Sequence, residues 1–411
     1  MTPAAYLDQH TPDLVGLVQK LVRLRTVNPP GENYGAFTEL LAAELRALGL
    51  TVRRVEIPRA LQKKTQPDLL DHPRYNVIGF WNAGAKKTIH FNAHYDVVPV
   101  SGTWKHADAF SGEVDAGWIY GRGTADMKGA IASILFALKS LRATATRPLC
   151  NVEVSFTADE ETDSLLGAGW LVEKGKLRAD YAVVGEGGEA DTVCCGHNGV
   201  VWLNVVVHGK AAHGSTPERG INALEKMSAL VLALDDYKRR LARRTFRSPD
   251  GRVMRPTINL GGVFAAGEGG KINTVPARAE FSIDRRVLAI EDPVRAEREL
   301  CDFLKRAAKK IPHCRITIEK VSENFSCFSK PTSPFFRAMQ ASVSRVRRRP
   351  ANAGVSTGFN DMHFFAHHLK IPTLGYGPSG ENLHAIDERA RLRDLVASAK
   401  IYTDLLTTFA G

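Results

Sequence analysis

The chain has 411 residues, 44% hydrophobic and 24% charged, a globular composition that excludes a disordered or fibrous protein and leaves room for two or three domains. Lys and Arg number 55 against 44 Asp and Glu, a formal charge of +11. The basic runs at 238–244 and 345–349 carry no interleaved aromatics and no nucleic-acid motif, so they read as solvated helix faces and no nucleic-acid partner is expected.

No apolar run nears the ~18 residues of a membrane span, and no basic-then-apolar leader opens the chain. The six cysteines form no C-x-x-C pair, which argues against thiolate-bound zinc. A cytoplasmic protein with no membrane partner is expected. Leu14, Leu17, Val18, Leu21 and Val22 recur at helical spacing and predict a helix over 13–25. Asn28-Pro29-Pro30-Gly31 breaks it, and a second helix follows over 34–48, stopped by Gly49. Strands are predicted at 51–57, 75–81 and 88–93, a Gly-rich turn at 121–123, a helix at 129–141, and strands at 151–157 and 181–185. This alternation indicates an α/β fold with a mostly parallel sheet and ligands at the carboxyl ends of its strands.

Near Gly199 the pattern changes. Strand 200–207, helix 222–240, strands 257–260 and 277–284, helix 292–308 and strand 315–321 follow the order of a ferredoxin-like α+β unit. The α/β pattern then resumes, ending in strand 371–376 and helix 392–409. The chain therefore divides into a catalytic α/β domain, 1–198 with 322–411, and an inserted domain, 199–321.

Polar side chains punctuate the predicted strand ends. His94 and Asp96 follow the run 89–93 and project the same way in extended chain, which suits a metal-binding imidazole beside a carboxylate that orients it. Asp126 stands in Gly121-Arg122-Gly123-Thr124-Ala125-Asp126-Met127-Lys128-Gly129, which is neither a dinucleotide fingerprint nor a Walker loop. Asp159-Glu160-Glu161, Glu186 and His384 complete the series. Singly, these read as a surface histidine, a capped helix start and an acidic turn. Jointly, His94, Asp126, Glu161, Glu186 and His384 give two imidazoles and three carboxylates, enough for two divalent ions bridged by Asp126 at ~3.5–4 Å. Two such cations against three carboxylates leave a net positive centre that would acidify a water. Oxygen and nitrogen donors without thiolate suit zinc best, with cobalt or manganese as alternatives. Glu160 would then be the general base.

These residues, with Thr26-Val27-Asn28-Pro29-Pro30-Gly31 near the start, resemble the acetylornithine deacetylase, succinyl-diaminopimelate desuccinylase, aminoacylase and glutamate carboxypeptidase family of dinuclear zinc hydrolases, in family order along nearly the whole chain. The resemblance implies that the inserted domain is a lid and dimerisation domain. It also implies that His213, in Gly209-Lys210-Ala211-Ala212-His213-Gly214-Ser215, reaches the active site of a neighbouring subunit in a homodimer and stabilises an oxyanion. Asn273, within Gly269-Gly270-Lys271-Ile272-Asn273-Thr274-Val275-Pro276, would contact substrate, and Arg286 would clamp its carboxylate. Arg285 is expected to be an outward-facing charge on the opposite face of that strand.

Three departures stand out. Ala109 replaces a proline, His197-Asn198-Gly199 stands where desuccinylases carry an arginine pair, and Phe359 in Gly358-Phe359-Asn360-Asp361 gives a more apolar pocket wall. The expected function is hydrolysis of the amide of a small N-acyl amino acid bearing a carboxylate, by a metal-activated water. A dipeptidase or carboxypeptidase is the alternative, and a non-catalytic binding homologue a remoter one.

Overall fold

The computed structural model describes every residue except 107 and 267–270, so Gly269 and Gly270 of the segment expected to contact substrate lie outside the described residues. Two compact units form. One comprises Met1–Gly196, Ser329–Gly354 and Asn360–Gly411, the other His197–Phe328 and Val355–Phe359.

The larger unit is built on β1 (Thr51–Glu56), β2 (Tyr75–Trp81), β3 (Thr88–His94), β4 (Asn151–Thr157) and β5 (Tyr181–Val184), with helices α1 (Tyr34–Ala47) and α2 (Lys128–Ala143). In α1, Phe37, Leu41 and Leu45 form one buried stripe, the period an amphipathic helix needs. Nearly every residue of α2 from Lys128 to Leu141 is buried, as expected for a helix that is apolar all round. The strands lie in the order β1–β2–β4–β3–β5. The β4–β3 and β3–β5 pairings are parallel, whereas β1–β2 and β2–β4 are antiparallel.

Every side chain of β3 and β4 is buried, the two-sided burial typical of parallel strands. One face is nevertheless polar. His90 Nδ1 lies 2.9 Å from Glu153, its Nε2 lies 2.8 Å from Ser155, and Asn92 Nδ2 donates to Ser155 and Thr157 at 3.1 and 3.2 Å. This file of paired polar groups ends at His94, the last residue of β3.

The smaller unit contains β6 (Gly199–His208), α3 (Ala223–Leu241), β7 (Thr257–Ala266), β8 (Arg278–Val287), α4 (Pro293–Lys310) and β9 (Arg315–Asn324). Its antiparallel sheet has the order β7–β8–β6–β9, the ferredoxin-like arrangement expected from the element order. Leu203, Val205, Phe281 and Ile283 of the sheet pack with Leu230 and Leu234 of α3 and Leu300 and Leu304 of α4. β7 and β9 run beyond the sequence expectations because each carries a register shift, at Leu260/Phe264 and Lys320/Ser322. Such bulges interrupt the alternation without ending the strand.

Arg285 corrects one expectation. Along β8 the alternate residues Ala279, Phe281, Ile283, Arg285 and Val287 are buried, so Arg285 points into the core and not outward. Its Nη1 donates to the Arg286 carbonyl, and its Nη2 lies 3.6 Å from Glu291. Arg286 does take the opposite face, half-buried, with Nε and Nη2 on Asp284 at 3.1 and 2.9 Å. The strand period separates the two arginines. It does not say which face is covered.

After the smaller unit the chain adds α5 (Pro334–Arg347), β10 (Thr373–Gly375), parallel to β5, and α6 (Leu392–Thr408). Among the described residues no helix is long and apolar enough to cross a membrane.

Candidate metal centre

Three adjacent parallel strands place their carboxyl ends together. β3 ends on His94, the turn after β4 carries Asp159-Glu160-Glu161, and Glu186 follows β5. Two loops complete the pit. Asp126 stands two residues before α2, and His384 stands in the left-handed region (φ 61°) of the segment before α6.

Asp126 lies between the imidazoles: Oδ1 is 2.9 Å from His94 Nε2 and Oδ2 is 3.2 Å from His384 Nε2. His384 Nε2 also meets Glu161 Oε1 at 3.1 Å. Donor atoms of His94, Asp126 and Glu161 all lie within 4.8 Å of one another. Ligands of a tetrahedral ion at 2.0–2.1 Å stand ~3.3 Å apart, so these spacings are already close to a coordination edge. Glu186 Oε2 is buried with no hydrogen-bond partner among the described residues, an uncompensated acceptor that a cation would satisfy. Nitrogen and oxygen donors of this kind, without sulfur, fit divalent ions.

The electrostatics agree. Burial, reinforced by Asp126, Asp361 and Glu161 and opposed by His94, holds the Glu186 carboxyl well above its ordinary value. Burial likewise raises Glu160, with His94 opposing and Glu186, Asp361 and Glu161 adding to it. Hydrogen bonds that His384 donates to Asp126 and Glu161 push it up to about 10, while Asp126 is lowered, the two histidines outweighing its burial. A cation in the pit would supply the positive charge that this group of carboxylates demands. Glu160 faces the same pit, its Oε2 3.9 Å from His94 Nε2.

Asp96 stands beside the ring it is expected to orient: His94 Nδ1 is 3.0 Å from the Asp96 backbone carbonyl and 3.5 Å from its carboxylate. That carboxylate also accepts from the amides of Glu160 and Glu161 at 3.1 and 3.2 Å.

Nothing in the local sequence marks Glu388 or Asp361 as part of the site. Glu388 is fully buried and accepts from Arg122 Nη1 (2.7 Å) and from the amides of Gly123, Ala125 and Asp126 (3.0, 3.0 and 3.2 Å). It therefore clamps the loop that presents Asp126. Gly123 is at φ +87°, and a Cβ there would meet Val97 at 2.7 Å, so only glycine suits this path. Replacing Glu388 with Ala leaves Arg122 buried without its counter-charge. A stability loss of about 3–5 kcal/mol is expected in denaturant unfolding of the metal-free protein, and a loss below about 1 kcal/mol would show that the clamp is not needed. Asp361 is buried against Ser164 and Thr157, and burial raises it to about 6.

In the smaller unit, His213 is exposed, with Nδ1 2.7 Å from Ser215 Oγ. The backbone of its loop pairs with the Asn273 segment: Gly214 N donates to Asn273 O at 2.7 Å and Val275 N to Ala212 O at 2.8 Å. The fold thus brings His213 and Asn273 side by side. His197 is buried, its Nδ1 2.9 Å from Asn198 O.

Two imidazoles and three carboxylates beside the largely buried Glu160 make the donor set of a divalent-metal site with a carboxylate base at hand. The chain belongs to peptidase family M20/M25/M40, whose model matches residues 90–408. It is 30% identical over 411 residues to a succinyl-diaminopimelate desuccinylase of Bradyrhizobium sp. (strain BTAi1 / ATCC BAA-1182), covering 97% of this chain and 99% of the relative. Its fold is similar to aminopeptidase PepT from Bacillus cereus (TM-score 0.75, 20% identity, 96% of this chain and 98% of that one). It is likewise similar to an M20 family metallo-carboxypeptidase from Sulfolobus solfataricus (TM-score 0.73, 21% identity, 96% and 98%). The chain is thus an amide-bond hydrolase dependent on divalent metal and acting on a small substrate.

Proposed function

We propose that the protein removes the acyl group from an N-acyl amino acid, with two zinc ions held by His94, Asp126 and Glu186 on one side and by His384, Asp126 and Glu161 on the other. The observation that carries this reading is the convergence of His94, His384 and Glu161, from separate segments, around Asp126, with Glu186 near enough to feel the charges of Asp126 and His94. When bound, such ions polarise the scissile carbonyl and acidify water.

Glu160 takes the proton of the attacking water and returns it to the leaving nitrogen. Its placement in a buried site rich in carboxylates favours accepting that proton. The unit Met1–Gly196 with Ser329–Gly354 and Asn360–Gly411 is the catalytic domain in this reading, and the ferredoxin-like unit is the lid and dimerisation domain. His213, exposed and adjacent to Asn273, serves the partner subunit of a homodimer by stabilising the oxyanion. Asn273 contacts substrate and Arg286 pairs with its carboxylate. Support for an acyl substrate comes from the desuccinylase relative that matches over almost the full chain.

A panel of N-acetyl and N-succinyl amino acids and dipeptides, offered to zinc-loaded protein, tests the assignment. At least tenfold higher kcat/KM for acyl amino acids is expected, about 1.4 kcal/mol of transition-state preference. The reverse order would make the protein a dipeptidase.

A further inference from the structure

The turn that carries Glu160 and Glu161 is held by a residue far away in sequence. Asn28 is buried, 1% exposed, and its backbone is tied to the segment after β3: Asn28 N donates to Val97 O at 2.9 Å, Val97 N to Thr26 O at 3.0 Å. Its side-chain amide sits among three oxygens. Nδ2 is 3.0 Å from Asp96 Oδ2, 3.1 Å from Asp159 Oδ1 and 3.0 Å from Thr162 Oγ1.

Both carboxylates hold the turn, Asp96 from outside it and Asp159 from within. Asp96 accepts the amides of Glu160 and Glu161. Asp159, in the left-handed region at φ 62°, accepts from Arg74 Nε (2.9 Å), Gln66 Nε2 (3.0 Å) and Tyr34 OH (3.2 Å). An asparagine amide supplies two donors without charge, which is what two neighbouring acids need between them. The other end is sacrificed: Asn28 Oδ1 is buried with no partner among the described residues. A stranded acceptor is costly, so the site favours this residue for its donors.

We propose that Asn28 is a positioning residue, joining Asp96 to the Asp159–Thr162 turn and so fixing where Glu160 and Glu161 present their carboxylates. The inference rests on the proposed role of Glu160 for its effect on turnover, but not for its effect on the turn. Two readouts on Asn28→Ala therefore separate them.

In metal-free protein, hydrogen exchange of the amides of residues 159–164 should quicken about tenfold or more, with the remainder of the larger unit within about threefold. In zinc-loaded protein, kcat should fall about 10–100-fold with KM within about threefold and two metals retained, since a shift of ~1 Å in a reacting group can cost ~10²-fold. Should Asn28→Ala not fold, Asn28→Ser keeps one donor and gives the same readouts at smaller amplitude. Unchanged exchange in the turn, protection lost throughout the unit, or faster exchange with unaltered kcat would each overturn the proposal. If the wild-type chain hydrolyses no acyl amino acid or dipeptide, the functional reading fails, while the exchange measurement still reads the hold of Asn28 on the turn.

Discussion

Glu160→Gln is expected to lower kcat by about 10²–10⁴-fold, the usual range for loss of a general base, while the protein still binds two metal ions. The residue is separable from the metal set by geometry. His94, Asp126, Glu161 and His384 contact one another at 2.9–3.2 Å, whereas Glu160 stands 3.9 Å from the nearest of them it pairs with, His94. Its backbone amide is fixed by Asp96, so an isosteric amide leaves the turn in place. What the glutamine lacks is affinity for a proton, which burial and the nearby Glu186, Asp361 and Glu161 raise in the native carboxylate against the pull of His94. Steady-state kinetics beside elemental analysis of the same preparation decide the point. Activity within tenfold of wild type would remove Glu160 from the role. Loss of both activity and metal would make it a ligand instead.

The fold was readable wherever hydrophobic period and chain order suffice. The strands β2, β4 and β3 and the βαββαβ order of the inserted unit are local patterns, and polar residues at the ends of apolar runs mark the carboxyl edge of a parallel sheet. The pit was readable for the same reason: His94, Glu160, Glu161 and Glu186 each follow such a run directly. What sequence did not supply is which partners meet across the chain. Glu388 reaches Arg122 over 266 residues and Asn28 reaches Asp159 over 131, so nothing in either local segment announces the contact. Arg285 shows the same gap at shorter range. Alternation separates it from Arg286, but only the packing of α3 and α4 decides which of the two is buried.

Asp126→Ala is expected to reduce bound metal from two ions per chain to at most one and to bring hydrolysis below detection. Each oxygen of this carboxylate faces a different imidazole, at 2.9 and 3.2 Å, so one substitution takes a ligand from both ions. In the proposed arrangement the shared acid would also offset the repulsion between two neighbouring cations. The loop itself does not depend on the side chain, because the Asp126 amide and those of Gly123 and Ala125 are held by Glu388. The metal-free variant should therefore fold with a circular dichroism spectrum like that of the wild type, and its deficit should appear as weaker zinc binding in a chelator competition. A variant that still holds two ions with near-native affinity would show that the ions are bound separately, and the bridging arrangement around Asp126 would have to be abandoned.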